Sequence, residues 1–304
     1  MMTKRLIAPA AMSCLRQLSI AIVAACTLFS SAPALSHEFW MFASPYTTPV
    51  GASAKIDLFV GQFFDGELIP LTAQYVTDFQ RISAIGTDNL LRRVPRTGPN
   101  GITLPMERAG SQLLAIDTHP NFVKLSADQF TYYLADEGLA AIRKLRDASG
   151  PPKRINRERY RRHIKALLQV GDVGDPANQA AAAEEIALRK TGQRLEILPL
   201  SDPRRAAPTA ATGFQVLFEG KPLGGGMIKA WNKHDGQTVL LRAVTDADGM
   251  ARMTLPFSGV WMLSTVHMLP VANDPALDWE SLWSNLTFEI AAPSAPPAVP
   301  ALAR

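Results

Sequence analysis

The segment Asn156 to Val170, NRERYRRHIKALLQV, reads as an amphipathic helix. Tyr160, Ile164, Leu167 and Leu168 recur at helical spacing, and Arg157, Arg159, Arg161, Arg162 and Lys165 cover the remaining surface. That reading decides the fold expected for the first half of the chain, because it joins a second helical signal just upstream. Ser126 with Gln129 forms a capping box, and Phe130, Tyr133, Leu134 and Leu139 supply apolar contacts before Gly150-Pro151-Pro152 closes the segment. Residues from about 126 to 170 are therefore expected to be a helical insertion.

Around this insertion the pattern is that of strands. Lys55 to Val60, Leu71 to Val76, Leu113 to Ile116 and Phe122 to Leu125 are short apolar or alternating runs separated by Gly, Pro, Asp and Asn. Such runs predict an antiparallel, Ig-like β-sandwich over residues 37–200, with Leu195 to Leu200 as its last strand. Gly61-Gln62-Phe63-Phe64-Asp65-Gly66 is read as a strand end running into a turn, since no Lys-Ser/Thr pair or helix start follows to make a phosphate loop. Residues 201–212, rich in Pro, Ala and Arg, are the expected linker.

A second β-sandwich is expected over 213–290, followed by a Pro/Ala-rich tail over 291–304. Phe214 to Phe218, Met227 to Trp231, Val239 to Val244, Ala251 to Leu255 and Trp261 to Met268 are its strands. The order of a Thr245-Asp246-Ala247-Asp248-Gly249 turn, a strand, then Gly259-x-Trp261 resembles the transthyretin-like or carboxypeptidase-regulatory-like sandwich. Asp246 and Asp248 lack the further oxygen ligands and closing glutamate of a calcium loop, so the segment is read as a hairpin turn. The fold class is thus mostly β, in two sandwich domains.

The first 36 residues have the pattern of a secretory leader. Lys4, Arg5 and Arg16 precede an apolar run from Leu18 to Phe29 that is too short to span a bilayer. Small residues at Ala34 and Ser36 place the expected cut before His37, with alternatives before Leu35 or Cys26. Loss of the leader's three basic residues lowers the formal charge from +4 to +1. It also removes Cys14 and Cys26, so a metal in the mature chain would rest on nitrogen and oxygen ligands. Ten Lys or Arg fall between Arg143 and Lys165. An exported chain has no nucleic acid to meet, so they are read as a solvated face, with an acidic partner or anionic membrane as the alternative.

A mature chain starting at His37 would present an α-amine and an imidazole able to chelate one ion. His119, His163 and His234 are read as loop, helix and turn residues, whereas His267 ends an apolar strand and is the best second ligand. Asp278 and Glu280 are weaker oxygen candidates.

Several of these features occur together: His37-Glu38-Phe39-Trp40, Arg157 to Tyr160 with Lys165 to Leu168, Leu195 to Ile197 with Asp202-Pro203, the Thr245 to Gly249 turn, Trp261 to Met268, Asp278 to Ser281 and Leu286 to Phe288. Together they resemble a bacterial periplasmic family of unknown function whose members are labelled as periplasmic components of cobalt or nickel uptake systems. The resemblance covers nearly the whole chain after residue 36. It implies a periplasmic protein that binds Ni or Co and serves a membrane importer, while the all-nitrogen ligand set favours Cu. Two further readings stand beside it: a copper oxidoreductase built on the N-terminal histidine, like lytic polysaccharide monooxygenases, and a metal-free interaction module.

Overall fold

The computed structural model describes residues 37–98, 100–171 and 176–292. In chain order the strands are β1 (Glu38–Ser44), β2 (Thr47–Thr48), β3 (Ser53–Gln62), β4 (Asp65–Ile69), β5 (Val76–Ser83) and β6 (Gly86–Asn89). There follow β7 (Ile102–Pro105), β8 (Gly110–Thr118), β9 (Asn121–Ser126), β10 (Ile155–Val170), β11 (Leu195–Pro199) and β12 (Ala211–Phe218). The last six are β13 (Lys221–Pro222), β14 (Met227–His234), β15 (Gln237–Val244), β16 (Met250–Thr254), β17 (Gly259–Pro270) and β18 (Trp279–Ile290). Helices α1 (Ala127–Asp136), α2 (Ala140–Ala148) and α3 (Pro176–Ala187) interrupt them.

The chain is predominantly β and its sheets stack in layers. A ten-stranded sheet runs β15-β14-β17-β18-β10-β8-β5-β6, with β2 and β9 also paired to β10. A four-stranded sheet of β1, β3, β4 and β7 covers one face, and a second of β11, β12, β13 and β16 covers the other. Alternation along the central strands assigns side chains to faces. On β17, Ser264 reaches Glu38 of β1, whereas Trp261 and Leu263 pack with Phe214 and Val216 of β12. On β10, Ile164, Ala166 and Leu168 pack toward β1 and β3, while Lys165 pairs with Glu196 of β11.

The helix expected over 156–170 is instead β10, a sixteen-residue strand paired in parallel with β18 and antiparallel with β8 and β9. A strand covered on both faces carries apolar groups on both, so Ile164 to Val170 lose the alternation that marks an exposed strand, and a helical period can be fitted through them. The helical insertion therefore shrinks to α1 and α2. The capping box stands: Ser126 Oγ accepts from Gln129 N at 3.2 Å and Gln129 Oε1 accepts from Ser126 N at 2.9 Å.

Strands from both sides of 201–212 lie in the ten-stranded sheet, and Ser36–Arg304 form one compact unit. The division expected at 201–212 thus falls inside a connected sheet. The stretch is tied down there: Asp202 caps a 3-10 turn at Pro203–Arg205, and Arg204 Nη1 donates to the Leu168 carbonyl at 2.8 Å. Both segments are turns, but Thr245–Gly249 closes no hairpin: it carries the chain from β15 in the large sheet to β16 in the sheet of β12. Asp246 Oδ1 accepts from Asp248 N and Met250 N, each at 2.9 Å, and Phe63 and Phe64 connect β3 to β4 at positive φ. The leader, with its expected cut, and residues 293–304 of the tail lie outside the described residues.

Candidate functional site

His37 and His267 do not converge. Glu38, the next residue after His37, reaches the face of the ten-stranded sheet that carries Ser264, with Ser264 Oγ donating to its carboxylate at 2.8 Å. His267 lies on the opposite face, its ring 4.4 Å from that of Phe218 on β12. The sheet stands between them. Burial pushes both imidazole pKa values below the usual histidine value, and Arg162 adds to the shift at His37. Asp278 is held by Arg157, through its amide at 2.8 Å and its guanidinium at 3.1 Å, and by Lys153. Although burial opposes it, these bonds keep the Asp278 carboxyl well below the usual carboxylate range. Glu280 lies between Arg194 at 3.3 Å and Arg159 at 3.5 Å.

Of the remaining histidines, His119 is exposed after β8 and the other two are engaged. His163 is buried, with Nδ1 2.8 Å from Asp117 Oδ1, and His234 stacks on Phe257. Among the described residues no group of three or more His, Cys, Asp or Glu is placed to hold a metal ion. This overturns the Ni, Co or Cu site expected at His37 and His267, and with it the copper-oxidoreductase reading. A two-ligand pair drawn from opposite ends of the sequence depends on tertiary proximity, which the layering denies.

What the fold does gather is a pocket of about 210 Å³ between β1, β3, β4 and the β8–β9 end of the large sheet, with Arg162 in its wall. Phe39, Val60, Ile69, Pro70, Tyr75 and Tyr160 supply its apolar surface, and Thr118 and Asn121 its uncharged polar groups. The Arg162 guanidinium carbon lies 4.6 Å from the Phe39 ring, 5.0 Å from Tyr160 and 5.9 Å from Trp283. The aromatic surround adds cation–π attraction to the guanidinium. Its backbone amide donates to Thr118 Oγ1 at 3.0 Å, and Nη2 donates to the His37 carbonyl at 3.3 Å.

Among the described residues no carboxylate lies within 4 Å of this guanidinium, its Nε has no hydrogen-bond partner, and Nη1 makes no bond within the chain. Burial pushes its pKa below the usual arginine value, with Tyr160 and Glu38 opposing at longer range. An arginine remains charged under such a shift, so the pocket presents a cation that lacks a counter-ion in contact.

The sequence profile of a domain of unknown function, DUF4198, matches residues 34–269. The chain belongs to the DUF4198 family. Every residue lining the Arg162 pocket lies inside the matched span. The family carries no assigned function, and nothing in the match ties this DUF4198 chain to cobalt or nickel uptake or to transport. No curated protein matches it. Among solved structures it is similar to a "Biofilm associated protein - BSP domain" at 10% identity and a TM-score of 0.18, covering 84% of this chain and 30% of that one. A likeness at that score carries no argument.

Other charges of the DUF4198 chain on this face are neutralised. Lys229 Nζ lies 2.7 Å from Glu137 Oε1, 2.9 Å from Asp136 Oδ2 and 3.7 Å from Glu38 Oε1. Burial, reinforced by repulsion from Glu38, raises the Glu137 carboxyl to about 8 against the pull of Lys229. Glu158 accepts from Tyr133 and Ser281, and burial raises it to about 7. Reading by residue type missed Arg162 because five basic residues on a supposed helix look alike. The available signal was the alternation of Glu158, Tyr160 and Arg162, which as a strand places all three on one face.

Proposed function

We propose that this protein is a metal-free binding module of the periplasm whose site is the Arg162 pocket and whose ligand is a small organic or inorganic anion. The observation that carries this reading is the cation itself: a guanidinium held by three aromatic rings, lining a cavity, with Nη1 unused and no carboxylate in contact among the described residues. The guanidinium is half-buried in the pocket wall, and an anion bound there gains charge-assisted hydrogen bonds to Nη1, which water alone now satisfies. Export rests on the leader pattern of residues 1–36, and N-terminal mass measurement of secreted protein tests it, with a start at His37 expected.

Binding is tested on residues 36–304 by calorimetry with chloride-matched acetate, benzoate, sulfate and phosphate. Saturable binding of at least one anion, tighter than about 1 mM and lost in Arg162→Met, is the expected result. If no anion binds, or if binding is unchanged in that variant, the reading fails.

A further inference from the structure

Resting on the anion-pocket reading, we infer that the ligand is a monocarboxylate on a compact apolar body, of which an aromatic monocarboxylate is the best representative, and not phosphate or another polyanion. Three observations converge. Among the described residues Arg162 is the only charged one lining the cavity, so a single negative charge is matched and a second would find no cationic partner in the walls. The planar guanidinium fork suits the planar, two-oxygen geometry of a carboxylate. Thr118 Oγ1 already accepts from the Arg162 amide at 3.0 Å, which leaves its hydroxyl proton to donate to the second carboxylate oxygen.

The rest of the ligand is specified by the walls. Phe39, Val60, Ile69, Pro70, Tyr75 and Tyr160 present rings and aliphatic groups, which reward apolar surface and penalise hydroxyl-rich bodies. The volume of about 210 Å³ exceeds the roughly 150 Å³ of a cavity known to take one benzene ring. One six-membered ring with a carboxylate is therefore accommodated within the walls.

The experiment uses residues 36–304 and the probes benzoate, benzyl alcohol, acetate and inorganic phosphate. Benzoate is expected to bind between about 10 µM and 1 mM, in keeping with the efficiency of a ligand of its size. Acetate is expected to bind at least tenfold more weakly, and phosphate and benzyl alcohol not measurably. Arg162→Met should weaken benzoate at least tenfold and Arg162→Lys by an intermediate factor. Ile69→Trp, which fills the cavity and keeps the guanidinium, should abolish benzoate binding, so the inference stays testable if Arg162→Met does not fold. Phosphate binding that needs Arg162 while benzoate does not bind would overturn the ligand class and leave the anion pocket standing. Benzyl alcohol binding as tightly as benzoate would overturn the carboxylate, and failure of every probe would overturn the pocket as well.

Discussion

Lys229 and Arg162 stand on the same face of the ten-stranded sheet, on strands β14 and β10, and they differ in company. Three carboxylates surround Lys229, two of them within 3 Å, and although burial opposes it, Glu137 and Glu38 hold its pKa above the usual lysine value. Around Arg162 are rings, a carbonyl and a cavity, and burial moves its pKa the other way. A buried cation whose counter-charges come from its own chain is a structural tie. One whose counter-charge is left open is a recognition element.

Substitution at the two positions is the sharpest way to break this comparison. Lys229→Met strands Glu38, Asp136 and Glu137 without a cation and should cost about 3–5 kcal/mol in chemical denaturation. Arg162→Met removes a charge that Glu38 and Glu158 oppose only at longer range and replaces it with an apolar chain of similar length. It should alter stability by no more than about 1 kcal/mol while removing the ligand. Equal losses at both sites would erase the distinction.

The pH dependence follows from the same network. Glu137 is raised from an ordinary 4.5 to about 8, and Glu158 to about 7, so the folded state favours their protonated forms. Their contribution is full below about pH 4.5 and is lost as pH rises through 7 and 8. Asp278 is shifted the opposite way, so its contribution is present above the ordinary carboxylate value of 3.8 and lost as pH falls below it. Urea midpoints should therefore be highest on the acid side of neutrality and fall between pH 6 and 9 by the equivalent of at least about 1 kcal/mol. Glu137→Gln should flatten that fall. A midpoint that rises over this interval would show that the Lys229 network is not protonated as its burial dictates.

The smallest effect expected concerns the cage. Phe39→Leu keeps an apolar wall but removes the ring nearest the guanidinium, and should weaken benzoate by about 0.5–1 kcal/mol while costing about 1 kcal/mol of stability, because Phe39 is buried in the core. A loss as large as that of Arg162→Met would mean that Phe39, and not the cation, carries recognition.

The α1 capping box, the Asp246 turn and the β3–β4 turn were legible because each is a local matter: a side chain satisfies backbone groups two to four residues away, and residue type alone announces it. Predominance of β-structure was legible for the same reason, through short runs between Gly, Pro, Asp and Asn. Residues 155–170 were not. Their apolar half is covered on both faces by segments from elsewhere in the chain, so helix and strand leave the same trace in composition.

Sequence by itself therefore determined the turns, the α1 cap and the β-rich class, all governed by backbone chemistry over a few residues. Only tertiary structure decided that His37 and His267 face away from each other, and that Glu38 meets Ser264, 226 positions away. It also decided that, of the arginines along β10, Arg162 lines a cavity while Arg157 bonds Asp278. Those outcomes depend on which distant strands bring carboxylates or rings within reach. The Coulomb and desolvation energies that separate a neutralised cation from an open one are set by that proximity, and not by residue type.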